Sequence, residues 1–453
     1  MFDTVLICNR GEIAVRIIRS CKELGIRTVL GHSTADRESM AAWLADDTVC
    51  LGPGKVSRSY NNVPAVLYAC AKSGADAVHP GYGFLSEDAT FARACEQSGI
   101  KFIGPAAEHI ALMGDKIAAR NAMGAAGVPV LPGSDGPLAD LGHARGLAEQ
   151  IGYPVILKAA AGGGGRGIAI VRSPAELEDA YTVTKSTAGA LFSDDRLYLE
   201  KFVTDGRHIE VQLLADEHGT VLHLGERNCS VQRRQQKLVE ESPSPCLDPL
   251  LREQLCDAAV AGARSIGYVS AGTFEFLVGP DGAAYFIEMN TRIQVEHPVT
   301  EVCAGLDLIE WMLRIACGEK LPFTQDDIRL SGHAVEARIN AEDATRDWAG
   351  CSGRVSGLVL PGGPRIRVDT HVFPGYRVPP FYDSLLAKVI AFGPTREAAL
   401  RTLERALAEF RCDGLPTNID FQRRLLRNEE FRAGHYRLDL VQKLLAETAV
   451  AEL

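Results

Sequence analysis

Tyr285-Phe286-Ile287-Glu288-Met289-Asn290 followed by Thr291-Arg292-Ile293-Gln294-Val295-Glu296 is an apolar strand that carries acids where an ordinary core strand carries none. Side chains of a strand alternate faces, so Glu288 and Asn290 point the same way. A Gly279-Pro280-Asp281-Gly282 turn precedes this stretch, and before it Thr273-Phe274-Glu275-Phe276-Leu277 repeats the pattern. Residues 272–278 and 284–290 therefore read as an antiparallel hairpin that sets Glu275 opposite Glu288 and Asn290. Apolar strands rarely bury lone acids. Three hard oxygen ligands facing one space suit Mg²⁺ or Mn²⁺ shared with phosphates, and a salt-bridge network is the alternative. If the chain stays extended, Asn290, Arg292, Gln294 and Glu296 share a face, where a guanidinium fork, an amide and a carboxylate can bind a planar oxyanion and move its proton.

Upstream lies a second signal. Tyr153-Pro154-Val155-Ile156-Leu157-Lys158 runs into Gly162-Gly163-Gly164-Gly165-Arg166-Gly167, and Ile168-Ala169-Ile170-Val171 leaves it. A glycine inside a regular element costs roughly 0.5–1 kcal/mol relative to alanine, so a run of them serves a backbone that must move or approach closely. No GK[ST] follows and the next element reads as a strand, which excludes a Walker loop. The loop is either a lid whose N–H groups wrap phosphates or a hairpin tip.

The ends of the chain are plainer. Val5-Leu6-Ile7-Cys8, a helix with Ile13, Ile17, Cys21 and Leu24 on one face, and Thr28-Val29-Leu30 form a βαβ unit. Alternation continues through Ala77-Val78 and Phe102-Ile103, predicting a parallel α/β domain over the first hundred residues. Its first turn lacks GxGxxG, so a nicotinamide oxidoreductase is rejected. The C-terminal third adds strands near 333–340 and 385–391, then a helix after Thr395 with Ala399, Leu403, Ala406, Leu407 and Phe410 on one face.

Composition sets the outer limits. The chain has 453 residues, more than one core accommodates, so two or three domains are expected. A net charge of −10 argues against nucleic acid or an anionic membrane as the main partner. The twelve cysteines stand singly, without CxxC or zinc spacing, and read as scattered, mostly buried thiols in a reducing compartment. With no bilayer-length apolar stretch and no signal pattern at the start, the expected location is cytoplasmic.

Taken together these stretches resemble the biotin carboxylases of the ATP-grasp superfamily. The resemblance rests on residues 289–301, on Asn9-Arg10-Gly11-Glu12-Ile13-Ala14, on His79-Pro80-Gly81-Tyr82-Gly83-Phe84-Leu85-Ser86-Glu87 and on Gly114-Asp115-Lys116. Gln232-Arg233-Arg234, residues 336–343 and Tyr382-Asp383-Ser384 extend it to nearly the whole chain. It implies a Rossmann-like N-terminal domain (1–112), an ATP-grasp domain (113–322) whose mobile glycine-rich lid covers about 131–203, and a C-terminal biotin carboxylase domain (323–446).

It also implies roles. Lys116 and Lys158 hold ATP phosphates under Gly163, Gly164, Gly165, Arg166 and Gly167. Glu200, Lys201, Phe202 and Val203 face adenine, and His208, Gln232 and Leu277 line the nucleotide site. Glu275, Glu288 and Asn290 ligate two Mg²⁺ or Mn²⁺ ions. Lys237, Arg292, Gln294 and the Val295 backbone bind bicarbonate, and Glu296 takes its proton. Arg338 stabilises the biotin enolate, with Tyr82 and Gly83 shaping the biotin wall. No Met-Lys-Met is present, so biotin is expected on a separate carboxyl carrier protein, used by a separate carboxyltransferase, with a homodimer as the family's assembly.

Departures from the family pattern are Asn228 in Glu226-Arg227-Asn228-Cys229-Ser230, where aspartate is usual, Gln235 where histidine is usual, Ala159-Ala160-Ala161, and Cys351. Gln235 can donate and accept hydrogen bonds but cannot become cationic. Two alternatives share the metal and lid logic: another ATP-grasp ligase working through an acyl phosphate, and a non-catalytic carboxylase paralogue.

Overall fold

A computed structural model describes residues 1–160 and 167–451, the side chains of 345 and 448–451 excepted. Gly163, Gly164, Gly165 and Arg166 of the expected lid lie outside the described residues.

The N-terminal sheet contains β1 (Thr4–Ile7), β2 (Arg27–Ser33), β3 (Asp47–Gly52), β4 (Ala77–His79) and β5 (Lys101–Phe102), all parallel in the order β3-β2-β1-β4-β5. Val5, Leu6 and Ile7 are wholly buried, which is why this strand reads as a continuous apolar run. Helix α1 (Gly11–Glu23) follows β1, burying Ile13, Ile17 and Cys21, and Gly25 leaves it at φ +72°, a conformation that costs glycine least.

A small antiparallel sheet comes next: β6 (Val155–Ala159) is flanked by β7 (Ile168–Val171) and β8 (Leu197–Lys201). Helices α2 (Leu141–Ile151) and α3 (Leu177–Phe192) cover it through Leu157, Leu177, Ala188 and Leu199.

The third sheet is the largest. Strands β9 (Arg207–Ala215), β10 (Val221–Arg233), β11 (Gln236–Ser242), β12 (Ser270–Val278), β13 (Ala284–Asn290), β14 (His333–Asn340), β15 (Ile366–Thr370) and β16 (Leu385–Gly393) run antiparallel in the order β13-β12-β9-β10-β11-β14-β16-β15. One sheet therefore runs without a break from the expected ATP-grasp region into the C-terminal third. The predicted hairpin is β12–β13, with Glu275 opposite Glu288 and a bulge between Glu275 and Phe276. Helix α4 (His297–Ala304) follows the hairpin, and α5 (Arg396–Glu409), capped by the Thr395 side chain, packs its predicted face on β16. All twelve thiols are free and seven are buried. No helix among the described residues is long and apolar enough to cross a membrane.

Candidate active site

The chain does not stay extended past Asn290. Strand β13 stops there, an irregular segment follows, and Glu296 stands at the N-cap position of α4 without a side-chain capping bond, while Pro298 in the first turn needs no donor. The expectation of a continued strand is therefore corrected. Buried Ile293 anchors the segment while the Thr291 N–H donates to Glu87 Oε1 at 3.2 Å. Arg292, Gln294 and Glu296 still converge, because each is caught by a group from another strand or loop.

Glu275 and Glu296 sit at the centre of this convergence. Glu275 Oε1 accepts from Asn290 Nδ2 (2.8 Å), Gln294 Nε2 (2.8 Å) and Lys237 Nζ (3.2 Å), and its Oε2 lies 3.0 Å from His208 Nε2. Lys237 Nζ also reaches Glu210 Oε2 at 2.6 Å and Glu296 Oε1 at 2.5 Å, and Arg338 Nη2 donates to Glu296 Oε2 at 2.8 Å. Arg292 donates to Glu87 Oε2 (2.8 Å) and Asn290 Oδ1 (2.7 Å). Glu288 pairs with Lys116 at 2.5 Å.

These pairings set the charges. Burial alone would lower the Lys237 ammonium, but Glu210, Glu275 and Glu296 hold it well above its ordinary range. Burial would likewise lower His208, yet Glu275 and Glu210 carry it up to about 9. Glu275, which burial would raise, is held below the carboxylate range by Lys237 and His208. The site thus keeps ionised carboxylates beside fixed cations, the arrangement that polyphosphate and a small anion require.

Beneath this layer lies Arg227, wholly buried on β10. It donates to Glu210, Gln212, Thr300, Thr273 and Gln294. One guanidinium therefore positions both Glu210, which holds Lys237, and Gln294, which holds Glu275.

A cavity of about 1560 Å³ opens over these groups. Of the residues singled out from sequence it is lined by Tyr82, Gly83, Lys116, Lys158, Lys201, Phe202, Val203, His208, Gln232, Lys237, Glu275, Leu277, Glu288, Asn290, Arg292, Gln294, Val295, Glu296 and Arg338. Two do not line it. Glu200 turns to bind Lys158 at 2.6 Å, and a Cβ on Gly167 would meet Ala159 and Phe192. Gln235 does line it, at the left-handed turn between β10 and β11.

The residues that could hold a divalent ion fit one. Glu275 and Glu288 oppose each other across the hairpin, Asn290 adds an amide oxygen, and all three are hard donors. Lys237 and Lys116 already hold these carboxylates, so the site is organised around positive charge.

Sequence reading missed Glu210, Arg227, Glu87, Glu240 and Glu336. Glu210 lies between His208 and Gln212 in an alternating strand, and Glu240 follows Leu238-Val239 in another. The signal that found Glu275, an acid within an apolar strand, was present in both.

A parallel α/β domain, an antiparallel sheet bearing paired carboxylates and a glycine-rich strand connection define an ATP-grasp ligase. Family models match the N-terminal domain of biotin carboxylase at residues 1–110, the ATP-binding domain of the carbamoyl-phosphate synthase L chain at 115–324, and the biotin carboxylase C-terminal domain at 336–443. The biotin carboxylase of Nostoc sp. is 51% identical over 443 residues, 98% of this chain and 99% of that protein. That of Pseudomonas aeruginosa is 51% identical over 446 residues, with the same shares. Among solved structures, the biotin carboxylase domain dimer of Hydrogenobacter thermophilus 2-oxoglutarate carboxylase, in complex with MgADP, ADP and bicarbonate, superposes with a TM-score of 0.95. It is 46% identical, covering 98% of each chain. The Campylobacter jejuni biotin carboxylase complex with beta-gamma-ATP also gives 0.95, at 44% identity over 98% of this chain and 99% of that one. The chain belongs to the biotin carboxylase family.

Proposed function

We propose that this enzyme uses ATP and bicarbonate to carboxylate biotin borne on a separate carrier protein, by way of carboxyphosphate. The observation that carries the reading is the double hold on Glu296, by Lys237 at 2.5 Å and Arg338 at 2.8 Å, within one cavity.

Bicarbonate is a poor electrophile and a ureido nitrogen a poor nucleophile, so ATP must activate one of them. Lys237, Arg292, Gln294 and the Val295 backbone hold bicarbonate, and Glu296 accepts its proton. The carbonate oxygen then attacks the γ-phosphorus, and ADP leaves from a site lined by Lys116, Lys158, Lys201, Phe202, Val203, His208, Gln232 and Leu277. Glu275, Glu288 and Asn290 would hold the divalent ions, which when bound neutralise phosphate oxygens. Carboxyphosphate breaks into CO2 and phosphate, the phosphate takes the ureido N–H proton, and the enolate oxygen rests on Arg338 while its nitrogen attacks CO2. A fixed cation at that oxygen is oxyanion-hole chemistry applied to a urea. A lid over residues 131–203 keeps the mixed anhydride from water.

The carrier and a carboxyltransferase complete an acetyl-CoA or other acyl-CoA carboxylase, as in fatty-acid synthesis or acyl-CoA metabolism. A homodimer is its assembly, a reading supported by the dimeric Hydrogenobacter domain. ADP release with Mg²⁺ and bicarbonate, with and without free biotin, is the test. Release stimulated by biotin and dependent on bicarbonate is expected. Release indifferent to both would make it another ATP-grasp ligase, and none at all a non-catalytic paralogue.

A further inference from the structure

Arg338 has a second partner besides Glu296. Its Nε donates to Glu240 Oε1 at 2.6 Å, and its Nη2 contacts the same oxygen. Glu240 on β11 stands directly opposite Glu336 on β14, so both side chains leave the same face of the sheet. Both are wholly buried. Yet among the described residues Glu240 Oε2 and both oxygens of Glu336 have no hydrogen-bond partner, whereas buried carboxylates as a rule are satisfied.

The surrounding charges do not supply what is missing. From β16, Lys388 reaches Glu12 of α1 (3.1 Å), Asp369 (3.7 Å) and the Val295 carbonyl (2.9 Å). On β11, Lys237 is taken by Glu210, Glu275 and Glu296. Cys229 from β10 is a buried thiol and His297 of α4 a buried imidazole that burial keeps neutral, so neither adds a cation. Two buried carboxylates that face each other with three of their four oxygens lacking a donor do not both ionise readily. Burial pushes Glu240 up to about 7 and Glu336 well above its ordinary range, against the pull of Arg338 and Lys388.

We propose that Glu240 and Glu336 share one proton at working pH and act as the positioning pair of Arg338, fixing its guanidinium by hydrogen bonding while leaving its positive charge for the anion in the cavity. Once Glu296 has taken the bicarbonate proton, Glu240 decides the charge around Arg338: ionised, it would hold Arg338 equally well but neutralise it, and the developing enolate would meet an ion pair rather than a cation. This inference rests on the proposed role of Arg338 at the biotin oxygen.

The test is the quotient of biotin-dependent turnover over biotin-independent, bicarbonate-dependent ATP cleavage, followed from pH 6.5 to 8.5 in the parent chain and in Glu240→Gln. The amide still accepts from Arg338 but cannot ionise. The parent quotient is expected to decline several-fold across this range while that of Glu240→Gln stays level. The same pH course in both would overturn the proposal. A second readout does not depend on turnover: the infrared C=O stretch of a protonated carboxyl, present in the parent at pH 6.5 and lost in Glu336→Gln. Its absence from the parent would also overturn it. Arg338→Ala separates the two readings, for it should depress biotin carboxylation more than ATP cleavage. Equal losses would remove Arg338 from the enolate while the infrared band still decides whether the proton is shared.

Discussion

Glu275 and Glu288 face each other across the β12–β13 ladder, yet each is held by a different lysine, Lys237 at 3.2 Å and Lys116 at 2.5 Å. Two carboxylates this close in register repel unless cations intervene. The lysines intervene now, and a divalent ion bound with nucleotide phosphates would share that task.

Glu275→Gln should therefore weaken divalent-ion binding rather than abolish folding. The amide can still meet Asn290 and Gln294, but it brings no charge to the ion. Mn²⁺ titration in the presence of ADP, read by electron paramagnetic resonance, should show affinity lowered about ten-fold, on the order of 1.4 kcal/mol. Unchanged affinity would exclude Glu275 as a ligand.

Glu296→Ala should abolish bicarbonate-dependent ATP cleavage while nucleotide binding stays measurable by calorimetry. General-base catalysis typically contributes 10²–10⁴-fold, so the loss should fall at or beyond that range. Retained turnover would remove Glu296 as the base.

Arg227→Ala should be among the most destabilising single changes in the chain. The arginine is wholly buried and donates to five residues, so truncation leaves Glu210 with Lys237 as its nearest cation and leaves Gln212 and Gln294 short of donors. Breaking a buried pair in this way costs about 3–5 kcal/mol, measurable as a lower urea midpoint. A shift under about 1 kcal/mol would mean that the pocket rehydrates freely.

The parts of this site that sequence disclosed are those with a period. Glu275, Glu288 and Asn290 follow from strand alternation, and the β12–β13 register matched the Gly-Pro-Asp-Gly turn. What alternation could not give was the path after Asn290: the chain leaves the sheet, and Gln294 and Glu296 reach the cavity through contacts with Arg227, Lys237 and Arg338. Those partners come from 42 to 67 positions away, so no local pattern contains them. Glu240 and Glu336 were hidden for a related reason, since their significance depends on being neighbours in the sheet.

Stability towards acid should depend on buried neutral histidines. Burial, reinforced by Arg10, lowers His371 to about 3, and burial with Arg16 does the same to His79. A lowered pKa means that the fold binds fewer protons than the unfolded chain below the ordinary value of about 6.5, so this stability is present above that pH and lost as pH falls. Each histidine costs about 2 kcal/mol between pH 6.5 and 5, at 1.36 kcal/mol per unit. Glu240 works oppositely: its contribution is full below its ordinary pKa and is lost as pH rises through about 7. In His371→Phe, urea denaturation at pH 6.5 and 5 should show the acid loss reduced by about 2 kcal/mol. An unchanged difference would mean that His371 titrates normally.

Nucleotide affinity should respond to an exposed contact at the edge of the cavity. Arg234 and Gln235, at φ +49° and +66°, form a left-handed turn where side chains are strained, and Gln235 faces the cavity. Asp347 and Trp348 form a second left-handed pair, at φ +52° and +61°. The two turns are latched: Arg233 and Arg234 both reach Asp347, at 3.1 and 2.9 Å, and the Arg233 guanidinium lies 4.9 Å from the centre of the Trp348 ring. Asp347 and Arg234 are largely exposed, so solvent and salt screen their ion pair and it acts as a weak latch. Asp347→Ala should accordingly raise KM for ATP by about two- to five-fold and leave kcat within a factor of two, because the turn presenting Gln235 loosens while the groups around Glu296 stay in place. A fall in kcat with unchanged KM would show that the latch acts on the reacting groups instead of on the nucleotide.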